Sequence, residues 1–225
     1  MKTKHLPLVQ DSGNQEYYTD KNILALVHEV MGSVDLDPAS NSLANCTVQA
    51  TTFFCKEDNG LAHDWHGRVW MNHPFDKGEK ACGRYKSTNK DHKKGDYNCK
   101  KRTCNDPKYR HYRGHHIDVD IPSNYDWISY LQKQYEGGNV TEAINISFAE
   151  LSSNWGQIMT GGVHCIPSER INYYKLDPER PGEIVKDNGV PKGSIIRYWG
   201  KNPEAFARVF SRIGTVNQPF PLPKD

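Results

Sequence analysis

The chain has 225 residues, of which 36% are apolar, 11% aromatic and 25% charged, and its mean hydropathy is −0.80. That length suits one large domain or one domain with an insert, and 12 Tyr, 7 Phe and 5 Trp supply a core, which excludes disorder throughout. No apolar run approaches the ~18 residues of a membrane span, and the polar stretch Met1–Gln15 lacks the apolar region expected of a secretory signal.

The net charge of +2 conceals an asymmetry. Between Lys77 and Arg113 lie 13 Lys/Arg and four Asp/Glu, a net of +9, so the rest carries 16 against 23, or −7. A mildly acidic body with one strongly basic segment points to a polyanion, most often nucleic acid. A solvated loop that repels itself open has the same charge signature.

Residues 1–16 read as a loose polar arm. A helix is expected from Lys21 to Met31: Thr19 or Asp20 can cap it, Ile23, Val27, Val30 and Met31 share a face, and Gly32 stops it. Val34 to Pro38 reads as a short strand ended by proline, Asn41 to Ala50 as helical, Thr51 to Cys55 as a strand, and Asp58-Asn59-Gly60 as a turn. Arg68 to Asn72 is a strand running into His73-Pro74-Phe75. Residues 76–120 show neither helical nor strand periodicity, and so long a structureless stretch inside a compact domain calls for something to staple it. Ser123 to Glu136 reads as a capped helix with Trp127, Ile128, Leu131 and Tyr135 inward. Strand Ala143–Phe148, helix Ser152–Met159 and strands Val163–Ile166, Ile171–Tyr174 and Ser194–Trp199 follow, with a Gly/Pro/acid-rich loop at 177–193 and a final helix from Pro203 to Ile213. Alternating strands and helices predict an α/β sandwich around a mostly parallel sheet, with residues 1–75 and 121–225 as core and 76–120 as insert.

Three groups of residues carry chemistry. The acids ending the first strand, Asp35 and Asp37, stand where an open α/β sheet binds ligands and suit an amine or hydroxyl of a nucleoside-like cofactor; ordinary turn acids are the plain alternative. The absence of Gly-x-Gly-x-x-Gly argues against NAD or FAD. Asn72-His73-Pro74-Phe75 offers an amide at a strand tip, a rigid proline and an aromatic wall, which suits a planar base with an exocyclic amine: the Asn oxygen and a backbone carbonyl each accept one N–H, and Phe75 stacks on a flipped-out base or else packs in the core. Cys82, Cys99 and Cys104, spaced Cys-x16-Cys-x4-Cys, lie in the basic insert with His92, His111, His115 and His116. Three thiols and a histidine there read as a structural zinc site, an iron–sulfur cluster being the alternative and unligated thiols the plain reading. Lys/Arg and Tyr85, Tyr97, Tyr109 and Tyr112 of the insert can hold phosphates and stack bases, or the tyrosines can pack around the metal. Cys46, Cys55 and Cys165 are expected to be buried and inert, and Trp127, Trp155 and Trp199 to be core.

In sequence order the chain contains Tyr17-Tyr18-Thr19-Asp20, Asp35-Leu36-Asp37-Pro38-Ala39-Ser40, Asp58-Asn59-Gly60-Leu61, Trp65 and Val69-Trp70-Met71-Asn72-His73-Pro74-Phe75, followed later by Ser168-Glu169-Arg170-Ile171-Asn172-Tyr173 and Lys192-Gly193-Ser194-Ile195-Ile196. This series, over residues 16–75 and 140–215, resembles the phage-type DNA N6-adenine methyltransferase family. The resemblance implies a Rossmann-like methyltransferase fold with S-adenosylmethionine as methyl donor. It implies that Tyr18, Thr19, Asp35, Asp37, Pro38 and Ser40 line the cofactor with Asp58 near its adenine or ribose, and that Asn72, His73, Pro74 and Phe75 form the catalytic loop. It also favours His116, in Gly114-His115-His116-Ile117, as fourth metal ligand beside Cys82, Cys99 and Cys104. It further implies that double-stranded DNA is the partner and that the protein modifies DNA in the bacterial cytoplasm; the insert's place directly after the catalytic loop, with its basic and aromatic residues, marks it as the element expected to read the target. The reaction needs alignment and electrostatics rather than a strong base, since two acceptors on the adenine amine favour a pyramidal, nucleophilic nitrogen. Two positions depart from the family: His73 and Asp20 each stand where it has proline. His73 removes a rigid ring and adds a titratable one. Two other readings stay open: a metal-stapled DNA-binding protein on a catalytically decayed methyltransferase scaffold, and methylation of another exocyclic amine such as cytosine N4 or RNA adenine. The acidic body argues against a nucleic-acid packaging protein.

Overall fold

A computed structural model describes residues 17–79, 119–177, 179–180, 183–187 and 192–220. The polar arm and most of the insert therefore lie outside the described residues. The elements are β1 (Tyr18–Thr19), α1 (Lys21–Met31), β2 (Leu36–Asp37), α2 (Ser42–Val48), β3 (Thr52–Phe53), a 3₁₀ turn (Gly60–Ala62), β4 (Gly67–Met71), α3 (Asn124–Glu136), β5 (Val140–Phe148), α4 (Asn154–Thr160), β6 (His164–Pro167), β7 (Tyr173–Leu176), β8 (Ile184–Asp187), β9 (Ser194–Trp199), α5 (Pro203–Phe210) and β10 (Gly214–Asn217).

Local chemistry explains the helix limits. Asp20, rather than Thr19, caps α1 by accepting the Asn22 N–H at 2.9 Å. Gly32, at φ +78°, ends it in a conformation that costs a side-chain-bearing residue strain. Ser123 and Asp126 close a reciprocal capping box on α3. Asn202 caps α5 through the Ala205 N–H, with Pro203 at the first turn, where a missing N–H costs nothing.

Seven strands form one sheet in the order β10-β6-β9-β5-β4-β2-β3. The expected mostly parallel sheet is in fact mixed. β3, β2, β4 and β5 run parallel, whereas β9 is antiparallel to both β5 and β6, and β10 is antiparallel to β6. The chain leaves β5 through α4, skips one position to lay down β6, and later fills the gap with β9 from the opposite direction. Such an α/β sandwich with helices on both faces is compatible with a Rossmann-like arrangement. On one face α1 and α5 bury Leu24, Val27, Phe206 and Phe210 against Trp70, Ile144, Ile146 and Ile196. On the other, α3 and α4 bury Trp127, Leu131, Trp155 and Met159 against Leu36, Val69, Met71 and Trp199. The expected core tryptophans are thus in the core.

A second sheet, β1-β7-β8, was legible only in its middle strand. β8 lies within the stretch 177–193 expected to be loop, and it exists because β7 supplies pairing partners from Tyr173↔Asp187 to Leu176↔Ile184. A salt bridge from Lys175 to Asp187 at 2.9 Å accompanies that pairing. The expected burial of three cysteines holds for Cys165 alone. Cys46 is exposed on α2, which turns Val48 inward instead, and Cys55 is half-buried in a turn.

Candidate active site

The order of the parallel strands locates a crevice. From β2 the chain passes through α2 to β3 on one side, then crosses back to lay β4 on the other side of β2. Ligands of open α/β sheets bind outside the carboxyl ends of the strands at such a reversal. Here those ends carry Asp37, the last residue of β2, and Asn72, the first after β4. A small cleft of about 40 Å³ opens there, and Asp37 and Asn72 both line it. One wall is Tyr17, Tyr18 and Thr19 at β1 with Ile184 of β8; another is Leu43, Ala44, Thr47 and Val48 of α2. The small second sheet thus closes one side, pinned by the β1–β7 pairs Tyr18↔Tyr174 and Thr19↔Tyr173. Mostly apolar walls with a few placed polar groups are typical of a cofactor pocket.

Asn72 is oriented by two donations. Its Nδ2 gives hydrogen bonds to Thr19 Oγ1 at 2.9 Å and to the Tyr17 carbonyl at 3.3 Å. A carbonyl can only accept, so the amide cannot be flipped, and Oδ1 is left as the outward acceptor. Among the described residues Oδ1 meets no donor, and neither does the carbonyl oxygen of His73. Two adjacent unfilled acceptors therefore sit at the tip of β4.

Asp37 is buried, and its Oδ1 accepts the Ala39 N–H at 3.2 Å. Removal from water pushes its carboxyl up to about 7, against the smaller downward pull of neighbouring Ser40 and the Ala39 N–H. The Ser40 hydroxyl lies close but outside hydrogen-bond geometry, and it is buried without a partner. An ammonium group entering the cleft would meet a carboxylate that the fold has desolvated.

Other expected site residues take different tasks. Asp35 does not line the cleft. Its carboxylate receives the Arg68 N–H at 2.8 Å and the Arg68 side chain at 3.2 Å, and Arg68 in turn reaches the Met31 carbonyl at 3.0 Å. The Arg68 guanidinium holds the Asp35 carboxyl below its ordinary range. Asp58 faces its own turn, accepting the backbone N–H and the thiol of Cys55, each at 2.8 Å. Pro38 is buried, and its carbonyl lies where a side chain at Gly60 would have to sit, at 2.0 Å. The motif Asp58-Asn59-Gly60 thus packs against the segment that follows Asp37, with the Gly60 carbonyl receiving Trp65 Nε1 at 2.8 Å.

Within the loop, Pro74 is half-buried and its carbonyl accepts the Asp76 N–H at 2.9 Å. Phe75 is half-buried, packed edge-on against Phe148 at 4.5 Å and Tyr173 at 6.0 Å. His73 is 2% exposed and points into the protein, donating from Nε2 to Asn124 Oδ1 at 2.9 Å and stacking beside Trp127. Burial lowers its pKa to about 3, so the ring stays neutral at physiological pH. Sequence reading missed the α2 wall, Leu24 and Ile184. The signal for α2 was its spacing: Leu43, Ala44, Thr47 and Val48 share one helix face just after Asp37.

The described ends of the insert meet beside α3. Glu79 and Ile121 pair antiparallel, exchanging hydrogen bonds of 3.0 and 2.8 Å. The expected metal ligands Cys82, Cys99, Cys104 and His116 lie outside the described residues. Among the described residues no group of three or more His, Cys, Asp or Glu could hold a metal, and no helix is long and apolar enough to cross a membrane. No family model matches the chain, nor does any curated protein or solved structure.

Proposed function

We propose that the chain transfers a methyl group from S-adenosylmethionine to an exocyclic amine of a nucleobase, the N6 amine of adenine in DNA. The observation that carries this reading is Asn72 Oδ1, an unfilled acceptor on a cleft that also presents Asp37, with the His73 carbonyl as a second unfilled acceptor one residue along the chain. An amine with two N–H bonds is satisfied by two such acceptors, and a ring oxygen or hydroxyl is not. Asp37 suits the cofactor's ammonium group. The apolar faces of Leu24, Leu43 and Val48 suit its less polar parts. When bound, S-adenosylmethionine supplies an electrophilic methyl group. The protein's own work is to hold the amine: Asn72, fixed by Thr19 and Tyr17, takes one proton's hydrogen bond and orients the nitrogen lone pair away from the ring plane. The basic segment Lys77–Arg113 would hold the DNA phosphates, and zinc on Cys82, Cys99, Cys104 and His116 would staple it.

The test is to incubate the protein with methyl-labelled S-adenosylmethionine and unmethylated DNA, digest the DNA and identify the labelled nucleoside. Label in N6-methyladenine is expected. Label in N4-methylcytosine would keep the chemistry and change the acceptor, and no label would remove the reading. Asn72→Ala is expected to abolish transfer, by about 10²-fold or more, with cofactor affinity retained.

A further inference from the structure

We propose that His73 and Asn124 form a latch that positions Asn72 and joins the catalytic loop to the root of the insert, making His73 a positioning residue rather than a lesion in the motif. The inference rests on the methyl-transfer reading for its functional half and on geometry alone for its structural half.

Three contacts define the latch. His73 Nε2 donates to Asn124 Oδ1 at 2.9 Å. The Asn124 N–H donates to the Asp76 carbonyl at 2.9 Å. Glu79 and Ile121 then pair just beyond. One residue at the start of α3 thus grips the loop at two places, at residues 73 and 76, with its side chain and its backbone. Asn124 is itself buried, so neither bond competes with water.

The imidazole is held on its faces as well. Trp127 stacks at 6.1 Å and Phe75 meets it edge-on at 5.3 Å. His73 and Asn72 are consecutive and are anchored to different partners: Asn72 to Thr19 and Tyr17, His73 to Asn124. With both side chains tied down, the peptide between them has little freedom to turn. The His73 carbonyl, one of the two acceptors, belongs to the next peptide, which starts from the anchored His73 and runs into the ring of Pro74.

A cost accompanies the arrangement. Among the described residues, the buried His73 Nδ1 finds no hydrogen-bond partner. A residue serving packing alone would be an aliphatic or aromatic side chain free of that penalty. Where related motifs restrain the loop with a proline ring, this chain restrains it with a buried hydrogen bond.

The experiment uses the full-length protein and three variants, Asn124→Ala, His73→Ala and the double variant, with Asn124→Asp as the conservative control that keeps an acceptor oxygen. Amide hydrogen exchange is expected to accelerate in residues 73–79 and 121–126 of Asn124→Ala and to return toward wild type in Asn124→Asp. In the transfer assay kcat is expected to fall about tenfold or more, with the dissociation constant for S-adenosylmethionine within about twofold of wild type and with the double variant no worse than the single ones. Unchanged exchange in Asn124→Ala would overturn the latch, whatever the activity. Accelerated exchange with unchanged kcat would overturn the positioning role. A wild type that transfers no methyl group would remove the proposed function and the positioning role with it, and hydrogen exchange would still decide whether the latch exists.

Discussion

Asp35 and Asp37 are one residue apart from being neighbours, and their surroundings separate them completely. Asp35 meets a guanidinium and is held ionised; Asp37 meets no cation among the described residues and is pushed by burial up to about 7. The second shift has a thermodynamic sign. An unfolded carboxyl titrates near ~4, so between about pH 4 and 7 the native protein keeps a proton that the unfolded chain has lost, and stability falls as pH rises through that window. At about 1.4 kcal/mol per unit, the loss is at most roughly 4 kcal/mol. Asp37→Asn, which cannot ionise, is expected to raise the melting temperature of the free protein at pH 8, to leave it nearly unchanged at pH 4, and to weaken S-adenosylmethionine binding. Melting curves and binding titrations at the two pH values check this. A variant melting no higher than wild type at pH 8 would contradict the burial argument.

At the scale of elements, the cleft depends on pieces that do not touch a ligand. The turn at Asn59–Gly60 packs against the backbone of Pro38, where a β-carbon at Gly60 would meet the Pro38 carbonyl at 2.0 Å and that carbonyl's carbon at 3.0 Å. Backbone, unlike the end of a flexible side chain, cannot step aside cheaply. Gly60→Ala is therefore expected to destabilise by about 2–4 kcal/mol and to weaken cofactor affinity, because relief of the clash moves the segment that follows Asp37. Urea unfolding and a binding titration measure both effects, and a fully stable variant would show that the turn is not a support. The β1–β7–β8 sheet acts likewise from the opposite side: two residues of β1 place Thr19 against Asn72.

At the scale of the molecule, the two ends of the insert lie side by side. The chain leaves the core at Glu79 and re-enters at Ile121, and paired residues of antiparallel strands lie about 5 Å apart at their Cα atoms. A two- or three-residue Gly/Ser link can span that gap. Replacing residues 80–118 by such a link is expected to preserve the far-ultraviolet spectrum and S-adenosylmethionine affinity. It is expected to abolish tight, salt-dependent DNA binding and to lose the zinc, about one ion per chain, that the proposed site is expected to give the parent. Metal analysis and binding at two salt concentrations test this. Undiminished DNA affinity in the excised protein would show that the basic segment is not the contact.

Sequence by itself determined whatever depends on neighbours along the chain. The 3.6-residue spacing of Ile23, Val27 and Met31, with Asp20 before and Gly32 after, is enough to define α1, since a helix's hydrogen bonds and caps are local. Asn72 at a strand tip was legible for the same reason. Tertiary structure decided whatever depends on residues far apart. β8 and β10 became strands because β7 and β6 offered partners. The sheet became mixed because β9 entered a gap left much earlier in the chain. Asp35 was assigned to Arg68, 33 residues away, and His73 to Asn124, 51 residues away. A side chain's task is set by its nearest unsatisfied partner in space. Two aspartates of equal standing in the motif could be told apart only once the fold had brought a guanidinium to one and an empty cleft to the other.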